Sequence, residues 1–198
     1  FHIVLVSPEI PPNTGNVIRL SANTGCTLHL IKPLGFSLDD SHLRRAGLDY
    51  REYATLKTYE SWDDFIEKEH PDPRDLYMFS SHATRSLPEV KFTAGSWLVF
   101  GRESAGLPLE LQENHCLKEN RIRIPMMPNN RSLNLSNSVA VAVFEAGGST
   151  ATPDPSDPYR GNPQKKPGAA LSDSAGPVLL SPLSAAENLI SLHAPVSP

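Results

Sequence analysis

Short apolar runs alternate with amphipathic segments along the first 150 residues of the chain. Five runs rich in β-branched and aromatic residues predict strands, at 2–7, 27–31, 76–80, 96–101 and 121–124. Their continuous apolar character is typical of strands that are buried on both faces of a parallel sheet. The alternation of strands with helical patterns favours an α/β fold, in which helices cover both faces of that sheet.

Helical spacing of apolar residues and capping residues predict four helices, at 13–24, 39–46, 61–70 and 135–146. We expect Asn13 and Thr14 to cap the first helix, because their short polar side chains can accept hydrogen bonds from free backbone amides. The last helix is strongly apolar, and Gly147 and Gly148 are expected to interrupt it. These helices and the strands alternate in chain order.

The composition of the chain changes near residue 147. Of the 19 prolines, nine lie in the last 48 residues, which contain a single aromatic residue, Tyr159. A segment with so few large apolar side chains cannot bury enough surface to offset the entropy lost on ordering. We therefore predict one domain over 1–149 and a disordered tail over 150–198.

Several protein classes are excluded by composition. No stretch approaches the roughly 20 apolar residues that cross a bilayer, so we expect no membrane partner. The two cysteines lack the spacing of metal ligands and are too few for a disulfide framework, which favours a reducing compartment and no metal. We expect a cytoplasmic protein, or an organellar one if a transit peptide preceded Phe1; a start at Phe1 rather than Met suggests a fragment or a processed form.

The net charge of −4 gives no global electrostatic case for binding nucleic acid. Local clusters of arginine must then carry such a function. One cluster is Arg44 and Arg45, and another comprises Arg121, Arg123 and Arg131. Solvated charges on a helix and a strand edge remain an equally weighted interpretation of both clusters.

Three irregular segments carry the candidate chemistry, at 13–19, 101–108 and 124–137. Each follows a predicted strand or opens a helix, and open parallel sheets bind ligands beside the carboxyl ends of their strands. The second segment places Gly101 and Gly106 around a turn with Glu103 at its mouth. It lacks the Lys-Ser/Thr pair of a nucleoside-triphosphate loop and the third glycine of a dinucleotide fingerprint, so a simple phosphate site is not predicted.

The third segment is a long loop that two prolines stiffen. Its backbone groups near Ile124 and Leu133 could hydrogen-bond the edge of a purine, which suits recognition of a polar heterocycle. Asn134, Ser136 and Asn137 are open to a second interpretation, as caps of the helix that follows. A plain strand-to-helix turn is likewise the alternative for the second segment.

Four motifs together resemble the SPOUT superfamily of RNA 2′-O-ribose methyltransferases. They are PEIPPNTGNVIRLSANTG (8–25), LRRAGLDY (43–50), FGRESAGLP (100–108) and RIRIPMMPNNRSLNLSNSVAVAVFEA (121–146). The resemblance runs nearly unbroken from His2 to Ala146 and is greatest to the small members that methylate the wobble nucleotide, cytidine or uridine 34, of leucine tRNA. It implies a deep trefoil knot that binds S-adenosylmethionine, and a homodimer whose active site takes residues from both subunits.

The resemblance also implies roles for individual residues. The catalytic candidates are Arg19, Glu103, Asn134 and Ser136. The residues expected to contact the methyl donor are Phe79, Gly101, Ile124, Ser132 and Leu133. The candidates for contact with the anticodon stem-loop are Arg44, Arg45 and Arg131 for phosphate, and Tyr50 and Tyr53 for base stacking. Because a guanidinium rarely loses its proton, we expect Arg19 to grip a phosphate and stabilise the developing alkoxide rather than act as a base.

Two departures from the family pattern accompany the resemblance. Arg102 stands where the family usually has proline, which adds charge near a cationic donor, and the large side chains that normally extend the last helix are replaced by Gly147 and Gly148. One alternative function is therefore an RNA-binding or assembly protein that keeps the fold without turnover. Another keeps the chemistry but moves the target to ribosomal RNA.

Overall fold

The computed structural model describes residues 1–38, 56–127 and 132–150. Several sequence predictions lie outside these residues and stay predictions. They are the helix at 39–46, the RNA-contact candidates Arg44, Arg45, Tyr50, Tyr53 and Arg131, and the tail beyond Thr150 with the domain boundary it defines.

Seven parallel strands form one sheet, in the order β3-β2-β1-β6-β4-β7-β5. Their bounds are β1 (His2–Val6), β2 (Thr27–Ile31), β3 (Leu56–Tyr59), β4 (Leu76–Phe79), β5 (Arg85–Ser86), β6 (Trp97–Phe100) and β7 (Arg121–Arg123). The predicted parallel α/β sheet is confirmed. All five predicted strands are present, each within about one residue of its predicted end.

Two strands were missed by the sequence prediction. β3 reads LKTY and has two exposed residues at its centre, because it lies at the edge of the sheet beside β2. β5 consists of Arg85 and Ser86 alone, paired with β7 at the other edge. Neither carries the continuous apolar run that identifies a strand buried on both faces.

In the described part of the chain, four helices cover the sheet: α1 (Pro11–Thr24), α2 (Trp62–Glu69), α3 (Leu109–His115) and α4 (Leu135–Thr150). Successive side chains of a strand point to opposite faces, and the core accordingly separates into two clusters. Ile3 of β1 packs in the cluster with α1 and α4, whereas Val4 packs in the cluster with α2. The prediction of helices on both faces is confirmed.

The prediction that Asn13 and Thr14 cap α1 is wrong, because the helix begins two residues earlier. Ile10 occupies the cap position, and the backbone amides of Asn13 and Thr14 already donate to its carbonyl, at 3.1 and 3.3 Å. Pro11 and Pro12 fill the first two helical positions and have no amide to cap. Two of the first four backbone amides, which a cap normally satisfies, are therefore absent from α1.

The prediction that Gly147 and Gly148 interrupt the last helix is also wrong. α4 continues through both glycines to Thr150. A glycine costs a helix about 1 kcal/mol relative to alanine but keeps its amide, so it weakens the hydrogen-bond ladder without breaking it. Val143 and Ala146, which are buried against the sheet, hold the preceding turn in place.

The trefoil knot remains a prediction. Its threading depends on the path of the chain between Met127 and Ser132, and residues 128–131 lie outside the described residues. What the structure does show is that β7 inserts between β4 and β5, two strands that precede it in the chain.

A chain of hydrogen-bonded side chains crosses the face of the sheet that α2 covers. His2 Nδ1 lies 3.0 Å from His29 Nε2, and His29 Nδ1 lies 2.7 Å from the hydroxyl of Tyr59. That hydroxyl donates to the carboxylate of Glu69 at 2.7 Å. Since the Tyr59 proton is directed to Glu69, His29 must donate from Nδ1 and accept from His2 at Nε2. The carboxylate thereby fixes the tautomer of both histidines.

We predict that this row of hydrogen-bonded side chains makes the stability of the protein depend on pH. His29 is fully buried, and burial lowers its pKa from 6.5 to about 3. The unfolded chain binds a proton at His29 near pH 6.5 and the folded chain does not, so the free energy of unfolding decreases as the pH falls below that value. The limiting slope is about 1.4 kcal/mol per pH unit for one proton.

Urea denaturation of the wild type and of His29→Phe between about pH 5 and 8 measures this slope. In His29→Phe, the slope of the unfolding free energy against pH should fall by about the contribution of one proton. In His70→Asn, the slope should equal that of the wild type. His70 is a matched control because it ends α2 in the left-handed conformation, at φ 47°, which asparagine tolerates. An unchanged slope in His29→Phe would contradict the assignment.

Candidate functional site

A cavity of about 450 Å³ lies beyond the carboxyl ends of β4, β6 and β7. Its walls come from 79–82 and 100–107, from Ile124, Met126, 132–135 and Ser138, and from Ile10 and Asn13 at the start of α1. The rings of Phe79 and Phe100 stack at 4.5 Å on its floor. The volume falls within the range of small-molecule sites, roughly 300–1,000 Å³.

The structure brings most of the predicted site residues together in this cavity. All five residues predicted to contact the methyl donor line it, namely Phe79, Gly101, Ile124, Ser132 and Leu133. Of the catalytic candidates, Glu103 and Asn134 line the cavity, and Ser136 lies one hydrogen bond away, donating to Asn134 at 2.8 Å. Arg19 is not among the lining residues. The structure thus gives the positions of the predicted donor-contact and catalytic residues, while the roles of these residues remain predictions.

The turn after β6 depends on glycine at position 101. A Cβ atom built there would lie 2.0 Å from the carbonyl carbon of Gly106 and 2.2 Å from the amide nitrogen of Leu107. No side chain fits between two backbones so close. The turn is closed by a hydrogen bond of 2.8 Å from the amide of Gly106 to the carbonyl of Arg102. The wall of the cavity here is therefore backbone packed on backbone.

Glu103 uses its carboxylate to hold the start of α1. It accepts hydrogen bonds from the backbone amides of Glu9 and Ile10, at 2.8 and 3.2 Å, and from the side-chain amide of Asn13 at 3.0 Å. A carboxylate is also favoured near a helix N-terminus by the helix dipole. The side chain thus supplies, from about 90 residues away, the cap that α1 lacks in its own sequence.

Glu9 completes a reciprocal clamp between the same two loops. Its carboxylate accepts from the backbone amide of Ser104 at 2.9 Å and from the Ser104 hydroxyl at 2.8 Å. These hydrogen bonds hold the pKa of Glu9 below its ordinary value, and the positive charge of Arg102 contributes in the same direction. The charge that Arg102 adds to the cavity wall is therefore partly offset. The contact of Glu9 with Ser104 could not be predicted from the sequence, because no local pattern marks a partner 95 residues away.

A chain of side-chain amides leads from Glu103 to α4. Asn13 donates to Glu103, so its oxygen accepts from the Asn134 side-chain amide at 2.9 Å. The Asn134 oxygen accepts in turn from the Ser136 hydroxyl and from the Asn137 backbone amide, at 2.8 and 3.3 Å. Asn134 is therefore both the cap of α4 and a member of the site network. The cap interpretation is confirmed for Asn134, while its catalytic role stays a prediction.

The helical period explains why Arg19 does not reach this cavity. Arg19 follows the cavity-lining residue Asn13 by six positions on α1, a rise of about 9 Å and a rotation of about 240°. Its side chain is exposed, whereas Asn13 is buried. One face of α1 thus serves the cavity of its own chain, and Arg19 belongs to another face.

The described residues carry neither a helix long and apolar enough to span a membrane nor a group of three or more metal-ligating side chains.

A family model, the SpoU rRNA methylase family, matches residues 1–144. A tRNA (cytidine(34)-2′-O)-methyltransferase from Burkholderia cenocepacia (strain HI2424) is 58% identical over 146 residues, which cover 74% of this chain and 93% of the relative.

Two solved structures are similar to this fold. One, solved to study 2-OH methylation of C/U34 on tRNA, has 43% identity and a TM-score of 0.67, with coverage of 75% of this chain and 94% of that chain. The other is a SpoU methyltransferase from Streptomyces viridochromogenes in complex with the cofactor AdoMet. It shows the shared fold alone, at 21% identity and a TM-score of 0.62, over 74% of this chain and 56% of that one.

We predict that Glu103→Gln destabilises the protein by about 1.5–3 kcal/mol, the usual contribution of a hydrogen bond to a charged group. Glutamine has one acceptor oxygen, and its NH₂ group would face donors that now bind the second carboxylate oxygen. Urea denaturation near neutral pH measures the loss. Glu113→Gln, which changes an exposed carboxylate of α3 outside its first turn, is the control and should change stability by less than about 0.5 kcal/mol. Equal stability of both variants would show that the network is dispensable.

Proposed function

Because the chain belongs to the SpoU rRNA methylase family, we propose that it transfers the methyl group of S-adenosylmethionine to the ribose 2′-hydroxyl of wobble nucleotide 34 in tRNA. The observation that carries this proposal is the single cavity into which the predicted donor-binding residues converge. The 58% identity to a tRNA (cytidine(34)-2′-O)-methyltransferase supports tRNA as the substrate class.

The cavity fits the methyl donor in chemistry as well as in size. Phe79, Ile124 and Leu133 offer apolar surface for a flat heterocycle, while Ser132 and the backbone beside Gly101 offer polar groups for its edges. The side-chain carboxylate of Glu103 stands near the mouth, where it favours a cationic molecule. When bound, the donor supplies an activated methyl group attached to a sulfonium.

The residues of the chain then have to align the acceptor rather than activate the donor. Holding the 2′-hydroxyl about 3–3.5 Å from the methyl carbon, in line with the bond that breaks, can lower the barrier by about 7–11 kcal/mol. The network of Glu103, Asn13 and Asn134 keeps the loops that surround the acceptor in fixed positions. A neighbouring arginine stabilises the negative charge that develops on the oxygen.

The arginine in this role is Arg19, supplied by a second copy of the chain. Arg19 is exposed and does not line the cavity of its own chain, so we assign it to the cavity of a second copy. Val141 and Phe144 of α4 are 44% and 68% exposed and lie one turn apart on a helix that packs against α1. We propose that two chains pair through this apolar face, with Arg44, Arg45 and Arg131 contributing to a surface for the anticodon stem-loop.

We predict that the purified protein, incubated with methyl-labelled S-adenosylmethionine and a leucine tRNA transcript, places one methyl group on the ribose of nucleotide 34. Mass spectrometry of nuclease fragments locates the label. A transcript with a 2′-deoxyribose at position 34 has no acceptor hydroxyl and is the matched control. Labelling of ribosomal RNA and not of the tRNA would show that ribosomal RNA is the substrate. A folded protein that binds no donor in calorimetric titration would contradict the enzymatic function.

A second prediction concerns the sharing of sites between subunits. Arg19→Ala and Asn134→Ala should each lose at least 90% of the methyl-transfer rate as homodimers, because each variant disrupts both sites. A mixture that exchanges subunits should regain up to about a quarter of the rate, since half of the dimers are hybrids with one intact site. Arg19→Lys should stay near the Arg19→Ala rate, because a lysine cannot make the bidentate phosphate contact. Absence of recovery in verified hybrids would contradict site sharing.

A further inference from the structure

Methylation of a hydroxyl releases a proton, and the groups described so far do not account for it. Three of the described residues that line the cavity have side chains that titrate, namely His82, Arg102 and Glu103. A group that takes the proton must have a free lone pair near neutral pH and must lie at the cavity.

Two of the three are unsuited to take the proton. Arg102 has no lone pair to offer, because a guanidinium stays protonated in proteins. The oxygens of Glu103 already accept from the amides of Glu9 and Ile10 and from the side chain of Asn13. A proton on the carboxylate would remove the negative charge that holds these three donors and would weaken the clamp that shapes the cavity.

His82 meets both requirements. It lies on the loop directly after β4, where Ser80 and Ser81 also line the cavity. The loop is fixed by a hydrogen bond of 3.3 Å from the His82 backbone amide to the Ser80 hydroxyl. Within the described part of the chain, the imidazole itself has no hydrogen-bond partner, and it is exposed. It therefore has a free ring nitrogen at the cavity and contact with solvent.

We propose that His82 is the general base of the methyl transfer, an inference that rests on the function proposed above. A neutral ring nitrogen of His82 takes the proton of the 2′-hydroxyl while an oxygen electron pair forms the new bond to the methyl carbon. The carbon–sulfur bond breaks and its electron pair stays on sulfur, which becomes a neutral thioether. The imidazolium then releases its proton to water, which restores the base.

Four charged side chains of the described residues lie on the elements next to this loop. Arg102 and Glu103 share the cavity wall with His82, and Arg85 and Arg123 lie on the neighbouring strands β5 and β7. Arginine and carboxylate side chains ordinarily change charge outside the range of pH 5 to 8, whereas histidine changes charge within it. A rate that depends on pH in that range can therefore be assigned to an imidazole.

The test compares the wild type with His82→Asn under single-turnover conditions, with S-adenosylmethionine and leucine tRNA transcript saturating. The variant should transfer methyl at least 100-fold more slowly at neutral pH, the lower bound for loss of a general base. The wild-type rate should rise with pH along the His82 titration measured by NMR of the imidazole, and the variant should lack that rise. Added imidazole should restore part of the variant's rate.

Two further measurements separate this role from others. Calorimetric titration should give His82→Asn the same affinity for S-adenosylmethionine as the wild type, within about threefold, and thermal denaturation should give the same curve. His70→Asn, at the end of α2 and outside the cavity, is the control and should keep the wild-type rate and pH profile.

Three outcomes would overturn the proposal, each in a distinguishable way. A wild-type pH profile in His82→Asn would exclude His82 as the base. Weaker donor binding with an unchanged saturated rate would make His82 a donor contact instead. Absence of methyl transfer by the wild type itself would refute the proposed function rather than this residue's role alone, and the His82 assignment would fall with it.

Discussion

The site depends above all on one carboxylate, that of Glu103. It joins the loop after β6 to the loop before α1 through two backbone amides, and through Asn13 it extends to the first turn of α4. Three segments that are far apart in sequence are thereby held at one point. Because the anion only accepts hydrogen bonds, it also determines the direction of every amide in the chain that follows.

This arrangement makes the cavity a property of its loops rather than of the sheet. The strands bring the loops to one edge, but the walls are set by the Glu103 network, by the reciprocal contact of Glu9 with Ser104, and by the close packing of Gly101 on Gly106. These contacts join backbone to backbone, side chain to backbone, or two side chains that are hydrogen-bonded in turn to further partners. Such contacts leave little freedom, which suits a reaction whose main requirement is alignment.

Much of the fold could be predicted from the sequence, because a strand buried on both faces has a continuous apolar run. The edge strand β3 could not, since its exposed Lys57 and Thr58 carry no such signal. For the site, the glycines and asparagines marked the correct loops, and resemblance to a family supplied the residue roles. The partners of Glu103 could not be predicted: they are backbone amides some 90 residues away, and backbone donors carry no sequence signature.

Helix α1 shows how the period of a helix decides what one chain can do alone. Both Asn13 and Arg19 stand in the same sequence motif, which suggests a common site. A separation of six residues nevertheless turns them about 120° apart around the axis, and only Asn13 lines the cavity. In the dimer that we propose, a second α1 brings Arg19 to the reacting centre, and twofold symmetry does so twice with a single interface.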